Sequence, residues 1–349
     1  MLSKIQNSFS KNTPFVVYIK PNSTKVNGIF QHDNTLNYLE NYTEKGFVFA
    51  PFDSAQKSIL IPLKKSDFKQ EIWEEEFVID SKSFQTSYSD SEKNDFEELV
   101  KKMISEIEKG EISKIVASRK EDFFPKKLEL TNLLKKMFSK YPNTFRYCFF
   151  HPKVGLWLGA TPEKLLSVEN DILLTMGYAG TQKFEGKIDV NWGEKEIEEQ
   201  KFVTDFIVHN LQPEALEIDV SEPFTSQAGT LLHIRTDIKA KLKVDFSLGK
   251  IIQKLHPTPA VCGFPKSLAQ RFILDNEPYN RSFYSGFLGE LNFEQNKTSE
   301  LYVNLRCMEV VDKKVSFYIG CGITKDSHPE KEFFETVNKS VTMKSLFDF

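Results

Sequence analysis

The chain is poor in cysteine: Cys148, Cys262, Cys307 and Cys321 are the four in 349 residues, and no two stand in a Cys-x-x-Cys pair. Set in apolar or glycine-containing surroundings, they suit reduced thiols and argue against a disulfide framework or a zinc site. Neither sign of charge is in excess. With 46 basic against 49 acidic residues and a net charge of −3, a generally basic nucleic-acid surface is excluded and a small-molecule ligand is favoured. Long hydrophobic runs are missing too. The apolar run Phe15 to Ile19 is far shorter than a secretory h-region or a membrane span, so a cytoplasmic protein without membrane contact is expected. There are no internal repeats, heptads or low-complexity tracts, which excludes solenoids and coiled coils.

What is present is a 40% hydrophobic composition over a length that can bury one large domain, or a large domain and a smaller one. The 31 phenylalanines read as core packing. Up to about Ile79, short apolar runs (Phe15 to Ile19, Gly46 to Phe52, Ser58 to Pro62) alternate with polar turns. The Ser- and Asp-rich stretch Asp80 to Asn94 then reads as a linker or surface loop. It divides the chain into an N-terminal part, 1–85, packed on the same fold, and a main region, 86–349.

In the main region, Phe96, Leu99, Val100, Met103, Ile104 and Ile107 recur at helical spacing and stop at Gly110. Lys114 to Arg119 reads as a strand. Three hairpins follow: Phe145–Phe150 with Val154–Leu158, Lys164–Val168 with Ile172–Met176, and Tyr302–Val311 with Val315–Ile319. Apolar stripes at Ile197, Val203, Phe206, Ile207 and Leu211, and at Phe334, Val337, Val341 and Leu346, predict two more helices. Local hairpins make sheets largely antiparallel, so the fold class is α+β, with large antiparallel sheets covered by helices.

Some residues are out of pattern. The run Leu255-His256-Pro257-Thr258-Pro259-Ala260-Val261-Cys262-Gly263-Phe264-Pro265-Lys266 carries three prolines, which no buried strand tolerates, and reads as a shaped loop entering a helix. Lys114 stands among apolar strand residues, either as a snorkelling surface lysine or as a buried amine with a purpose. Arg306 sits in an alternating apolar segment and needs an anion, from an internal carboxylate or from a ligand. Glu163 follows a stiff Thr161-Pro162 turn. Glu199 and Glu335 lie in helices rich in other charges, where a solvated face is the plain reading, and for the neighbouring Glu194, Glu196 and Glu198 it is the reading kept. His233 is read equally well as a core histidine satisfied by a backbone carbonyl.

Taken in order, Lys114-Ile115-Val116-Ala117-Ser118-Arg119, Gly159-Ala160-Thr161-Pro162-Glu163, Tyr178-Ala179-Gly180-Thr181, Lys195 to Glu199, the His256 loop, Asn304 to Cys307, Gly320 to Ile323 and Glu332 to Lys339 resemble the chorismate-utilising enzymes. The His256 loop is most similar to that of the isochorismate synthases in this group. The resemblance covers roughly the last 250 residues and implies the fold of that family. It implies Lys114 as general base on water and Glu163 as general acid. It implies Glu199 and Glu335 as ligands of a Mg2+ cofactor, with Glu332 joining through a water. Arg306 would grip a carboxylate of chorismate, with the backbone of Gly320 and Gly322 beside it. Gly180, Thr181, His233, Ala260 and Lys339 would complete the substrate pocket.

The implied reaction is conversion of chorismate to isochorismate, for menaquinone or catecholate siderophore synthesis. Ala179 stands where aminodeoxychorismate synthases usually carry a nucleophilic lysine. Anthranilate-type enzymes have another loop sequence and need an amidotransferase; no such partner is expected here, and a monomer is. Salicylate synthases, which tend to carry threonine near Ala260, are the alternative, and a non-catalytic chorismate-binding protein is a second. Two positions depart from the pattern: Gln200, where many relatives have histidine, and Gly289-Glu290, which replaces a frequent Gly-Trp.

Overall fold

The computed structural model describes residues 1–74, 88–228, 231–293 and 298–347. Two antiparallel sheets lie face to face. The first runs, edge to edge, through Gly263–Phe264, Lys114–Phe123, Lys314–Ile323, Cys307–Val311, Gly155–Thr161, Phe145–His151, Phe15–Ile19, Lys25–Gln31 and Ser66–Ile72. The second runs through Ala215–Val220, Leu231–Leu242, Ile172–Lys183, Lys164–Glu169, Ser299–Val303, Phe287–Leu291, Gly46–Ala50, Ile59–Pro62 and Asn37–Tyr38, with Phe224–Ala228 also paired to Leu231–Leu242. The N-terminal strands thus pair into both sheets: Phe15–Ile19 with Phe145–His151, and Gly46–Ala50 with Phe287–Leu291.

Seven helices are described: α1 (Leu2–Ser10), α2 (Asp90–Glu108), α3 (Leu130–Lys140), α4 (Glu194–Leu211), α5 (Leu248–Leu255), α6 (Lys266–Asn276) and α7 (Pro329–Lys344). Helices α1 and α3 cover the outer face of the first sheet together with the end of α7. Its half nearest Lys114 is covered by α2, α6 and α7. Helices α4 and α5 cover the second sheet. Both faces of the central strands are therefore buried, which explains why segments such as Phe15-Val16-Val17-Tyr18-Ile19 read as unbroken apolar runs: Val16 and Tyr18 point between the sheets, Phe15, Val17 and Ile19 toward the helices.

Phenylalanine is shared between the layer under the helices and the layer between the sheets, where it packs with tyrosine and tryptophan. Phe145 stacks on Tyr302 with centroids 4.3 Å apart, Phe49 on Phe283 at 4.2 Å and Trp157 on Tyr318 at 5.3 Å. Offset ring pairs of this kind fill a flat inter-sheet layer and add about 0.5–1.5 kcal/mol each beyond their buried area.

The α+β class and the three hairpins are as expected from the sequence, with one correction. Tyr302–Val311 is not one strand. Ser299–Val303 belongs to the second sheet and Cys307–Val311 to the first, and the chain crosses between them at Asn304-Leu305-Arg306, where Arg306 has φ of 47°. Asn304 pins the crossing, accepting from Tyr147 Oη at 2.7 Å and donating to the Phe283 carbonyl at 2.9 Å.

The helix starting signal was also hidden: α2 begins at Asp90 inside the stretch read as a linker, because Ser89 and Glu92 form a capping box. Of that stretch, 80–87 lie outside the described residues. Helix α2 ends as anticipated, with Gly110 at φ of 91° just past its last turn. In α4 the buried stripe is Gln200, Val203, Ile207 and Leu211, while Ile197 is half exposed. In α7, Phe333 and Val337 are buried and Phe334 faces solvent. All four cysteines are free and buried.

Candidate active site

The candidate site residues singled out in the sequence, Glu332 apart, converge in one cleft. Lys114, Glu163, Gly180, Thr181, Glu199, His233, Ala260, Arg306, Gly320, Gly322, Glu335 and Lys339 all line it. Topology explains how residues so far apart in sequence meet. Gly155–Thr161 and Cys307–Val311 are neighbours in the first sheet; Lys164–Glu169 and Ser299–Val303 are neighbours in the second. Both chain segments switch sheets side by side, and Glu163 stands on one switch and Arg306 on the other, joined by the Val303 amide donating to the Glu163 carbonyl at 3.0 Å.

Lys114 opens its strand and is 2% exposed, which settles the choice between surface and buried lysine. Its Nζ lies 3.9 Å from Glu199 Oε2. Gly322, on the adjacent strand, makes that approach feasible. A Cβ there would sit 2.9 Å from Lys114 Cε and 3.2 Å from Glu199 Oε1, closer than either could accommodate unmoved.

Glu163 is buried, and burial raises its carboxyl pKa from 4.5 to about 8 although Lys114 and Arg306 both pull the other way. It is therefore a protonated acid at neutral pH, a state a solvent-exposed turn glutamate would not hold. Arg306 is held by two neutral groups: Nη1 donates to Thr342 Oγ1 at 3.4 Å and Nη2 lies 3.3 Å from His233 Nε2. It has no ion pair with a carboxylate among the described residues. The internal-partner reading of this arginine thus fails, and the guanidinium remains available to an anionic ligand.

His233 is satisfied by a backbone carbonyl and also touches the site. Its Nδ1 donates to the Gly180 carbonyl at 2.7 Å, so Nε2 is left as an acceptor toward Arg306. Burial, then Arg306 and Lys339, push its pKa well below the ordinary value and keep the ring neutral. Gly180 adopts φ of 70°, a left-handed conformation that suits glycine, within the bulge of its strand. Thr181 Oγ1 lies 3.4 Å from the same Nδ1. Ala260 lies on the loop between α5 and α6.

The carboxylates come from two helices that approach the cleft from different sides. Glu199 is on α4. Glu335, on α7, accepts from Lys339 Nζ at 2.6 Å, and the same amine donates to the Gly320 carbonyl at 3.1 Å. Glu332 is neither solvated nor a cleft residue: it is 3% exposed and accepts from Lys195 Nζ and Ser327 Oγ, each at 2.8 Å. Burial and Glu335 raise its pKa.

No group of three or more His, Cys, Asp or Glu side chains at metal-ligand distance occurs among the described residues. Two carboxylates opening onto a ligand cleft fit Mg2+, which keeps waters and takes one or two protein carboxylates with the rest from substrate; they do not fit a closed cage for Ca2+ or Zn2+.

Tyr284 and Met343 line the cleft and gave no earlier signal; Tyr178 and Lys195, inside the segments that carry the resemblance but given no role there, line it too, as does Glu196, whose reading from sequence is a solvated face. Glu194 and Glu198 are exposed as expected. The two departures from the family pattern fall on hydrogen bonds outside the cleft: Gln200 donates to Thr236 Oγ1 at 2.6 Å and to Thr204 Oγ1 at 2.8 Å, and Glu290 accepts from Tyr18 at 2.6 Å and Lys20 at 2.7 Å.

The sequence model of the family described as chorismate binding enzyme matches residues 49–348. Isochorismate synthase MenF of Haemophilus influenzae is 27% identical over 257 residues, 71% of this chain and 59% of that protein. Isochorismate synthase MenF of Escherichia coli is 29% identical over 265 residues, 73% of this chain and 60% of that protein. The chain thus matches about three fifths of the length of these curated relatives. The crystal structure of DhbC from Bacillus anthracis superposes with a TM-score of 0.81 at 23% identity, covering 99% of this chain and 98% of that one, and has the same fold. No helix among the described residues is long and apolar enough to cross a membrane.

Proposed function

This chain belongs to the chorismate binding enzymes, and on that premise we propose that it converts chorismate to isochorismate. The observation that carries the reading is a buried arginine with no carboxylate ion pair among the described residues, set in one cleft with a buried glutamate whose pKa is raised and a buried lysine. A dianionic substrate supplies the anion that Arg306 lacks, and an acid and a base on one ligand have no use in a protein that only binds.

Lys114 takes a proton from water as its oxygen attacks ring carbon C2. The two ring double bonds shift toward C4, and Glu163 donates its proton to the departing C4 hydroxyl, which leaves as water. The atoms balance as an isomerisation: one water enters, one leaves, and by exchange with solvent Lys114 gives up the proton it took while Glu163 regains the one it donated. Arg306, fixed by His233 and Thr342, orients a substrate carboxylate, and Gly180, Thr181, Ala260, Gly320, Gly322 and Lys339 close the pocket around the ring.

Glu199 and Glu335 would hold Mg2+, which when bound supplies positive charge to the ring carboxylate. Glu335→Gln is expected to weaken Mg2+ binding, followed by titration calorimetry, by roughly 100-fold or more, beyond the 10–100-fold typical of losing an outer-shell partner. Unchanged affinity would remove Glu335 from the ligand set.

The test of the reaction is incubation with chorismate and Mg2+ and chromatographic separation of products. Isochorismate without stoichiometric pyruvate is the expected result. Salicylate with equimolar pyruvate would instead assign the salicylate-forming reaction, and binding without turnover would make the protein a chorismate binder.

A further inference from the structure

Glu277 and Arg281, at and beyond the C-terminal end of α6, form an ion pair whose side chains are 2% and 1% exposed, with Nη2 to Oε1 at 2.5 Å and Nε to Oε2 at 2.7 Å. Neither lines the cleft, and the reaction proposed above does not use them. Their outward hydrogen bonds are what single them out. Arg281 Nη2 donates to the Val116 carbonyl at 2.7 Å and Nη1 to the Val261 carbonyl at 3.0 Å. Glu277 Oε1 accepts from the Ser118 amide at 2.9 Å and the Ser118 hydroxyl at 2.8 Å. The guanidinium also lies over the rings of Phe52, at 4.5 Å, and Tyr284, at 5.9 Å.

These contacts continue a sheet ladder with side chains. Gly263–Phe264 pairs with Lys114 and Ile115, and the Val116 amide donates to the Cys262 carbonyl at 2.9 Å. There the backbone partner ends. The next groups on that edge, the Val116 carbonyl and the Ser118 amide, are taken by Arg281 and Glu277. The remaining guanidinium arm reaches Val261, the neighbour of Ala260. One rigid fork thus ties the strand that begins with Lys114 to the loop that carries Ala260.

We propose that Glu277 and Arg281 are positioning residues that fix the distance between the Lys114 amine and the pocket wall at Ala260; the proposal rests on the functional reading above. Stability alone does not account for the pair, since a buried ion pair seldom stabilises more than well-packed apolar residues of similar volume. Direction does: the planar fork donates along set axes to several acceptors, which an ammonium on a flexible stem does not.

The test measures Arg281→Lys, which keeps the charge beside Glu277 but not the fork, and the apolar pair Glu277→Leu with Arg281→Met. Folding is checked by thermal melting, and kcat and KM for chorismate and the Mg2+ dissociation constant are measured on the folded fraction. A displacement near 1 Å between base and ring lowers kcat by about 100-fold. The expected result is a fall of that order in a folded variant, with Mg2+ affinity within about twofold of the parent, since Glu199 and Glu335 stand on other helices. Loss of folded molecules would instead scale kcat by the folded fraction and leave the corrected value unchanged. A folded variant with kcat within threefold of the parent overturns the proposal, and so does failure of both variants to fold, which would make the pair a folding element. Absence of chorismate turnover by the parent protein would overturn the functional reading itself, and is read before any variant.

Discussion

Lys114→Ala is expected to lower kcat for chorismate by about 10²–10⁴-fold, the range for loss of a positioned general base, while chorismate and Mg2+ still bind. The lysine is buried at the start of a strand, with its amine 3.9 Å from Glu199 and a glycine at 322 keeping the space beside it clear. A buried amine in that position serves either to receive a proton or to balance the charge of Glu199. The two roles separate in the measurement. If Lys114 only balanced charge, the alanine variant would bind Mg2+ more tightly and turn over at a comparable rate. If it is the base, single-turnover formation of isochorismate, followed by chromatography after rapid quenching, slows by orders of magnitude with binding preserved. Retained turnover would sink the assignment.

Glu163→Gln should cost a similar factor and should also change the shape of the pH profile. Burial raises the Glu163 pKa from 4.5 to about 8, so the carboxyl is protonated and competent as a donor at neutral pH. Raising the pH through about 8 removes that proton, and kcat falls on an alkaline limb. The residual activity of the glutamine variant should lack the limb, because the amide does not titrate there. Stability gives an independent reading of the same shift. A carboxyl whose pKa is higher in the folded state favours folding fully below pH 4.5 and loses that contribution as the pH rises to about 8. Glu163→Gln should therefore gain stability relative to the parent between pH 5 and pH 8. A stability difference between variant and parent that is the same at the two pH values would mean that the pKa is not raised by folding.

Lys114, Glu163 and the His256 loop stood out in the sequence because they violate local rules, whereas most of the other cleft residues were named only through the family resemblance. Lys114 is a cation in an apolar strand, the His256 loop holds prolines where a strand has none, and Glu163 follows a proline turn. Each breaks the pattern of its own segment. The location of Arg306 was not legible, since the apolar alternation from Tyr302 to Val311 continues across the crossing between sheets; nothing in side-chain periodicity marks a change of sheet when both sheets bury both faces. The start of helix α2 is concealed for a different reason: its first residues, Asp90 to Asn94, are polar, and the capping box of Ser89 and Glu92 carries the signal that composition hides.

Glu196 was misjudged because helical charge runs look alike whether they face water or a cleft, while Glu332, expected to reach a metal through a water, is instead buried against Lys195 and Ser327. Glu277 and Arg281 gave no signal as a working pair. Four residues apart near the end of a helix, they resemble any surface ion pair, and only the tertiary packing shows that the edge of a sheet ends between them.

That edge has a consequence for the protein among its own copies. A sheet that stops with free amides and carbonyls invites another chain to add a strand, the first step of many aggregates. Here the first sheet closes one side with the two-residue strand Gly263–Phe264 and charged side chains bonded to the backbone beyond it. On the other side the outermost strand is Ser66–Ile72, largely exposed, with Asp67, Lys69 and Glu71 along it. One border is plugged and the other is charged. The same buried pair proposed to hold the pocket in register therefore also denies a docking edge to other chains once the sheet has formed.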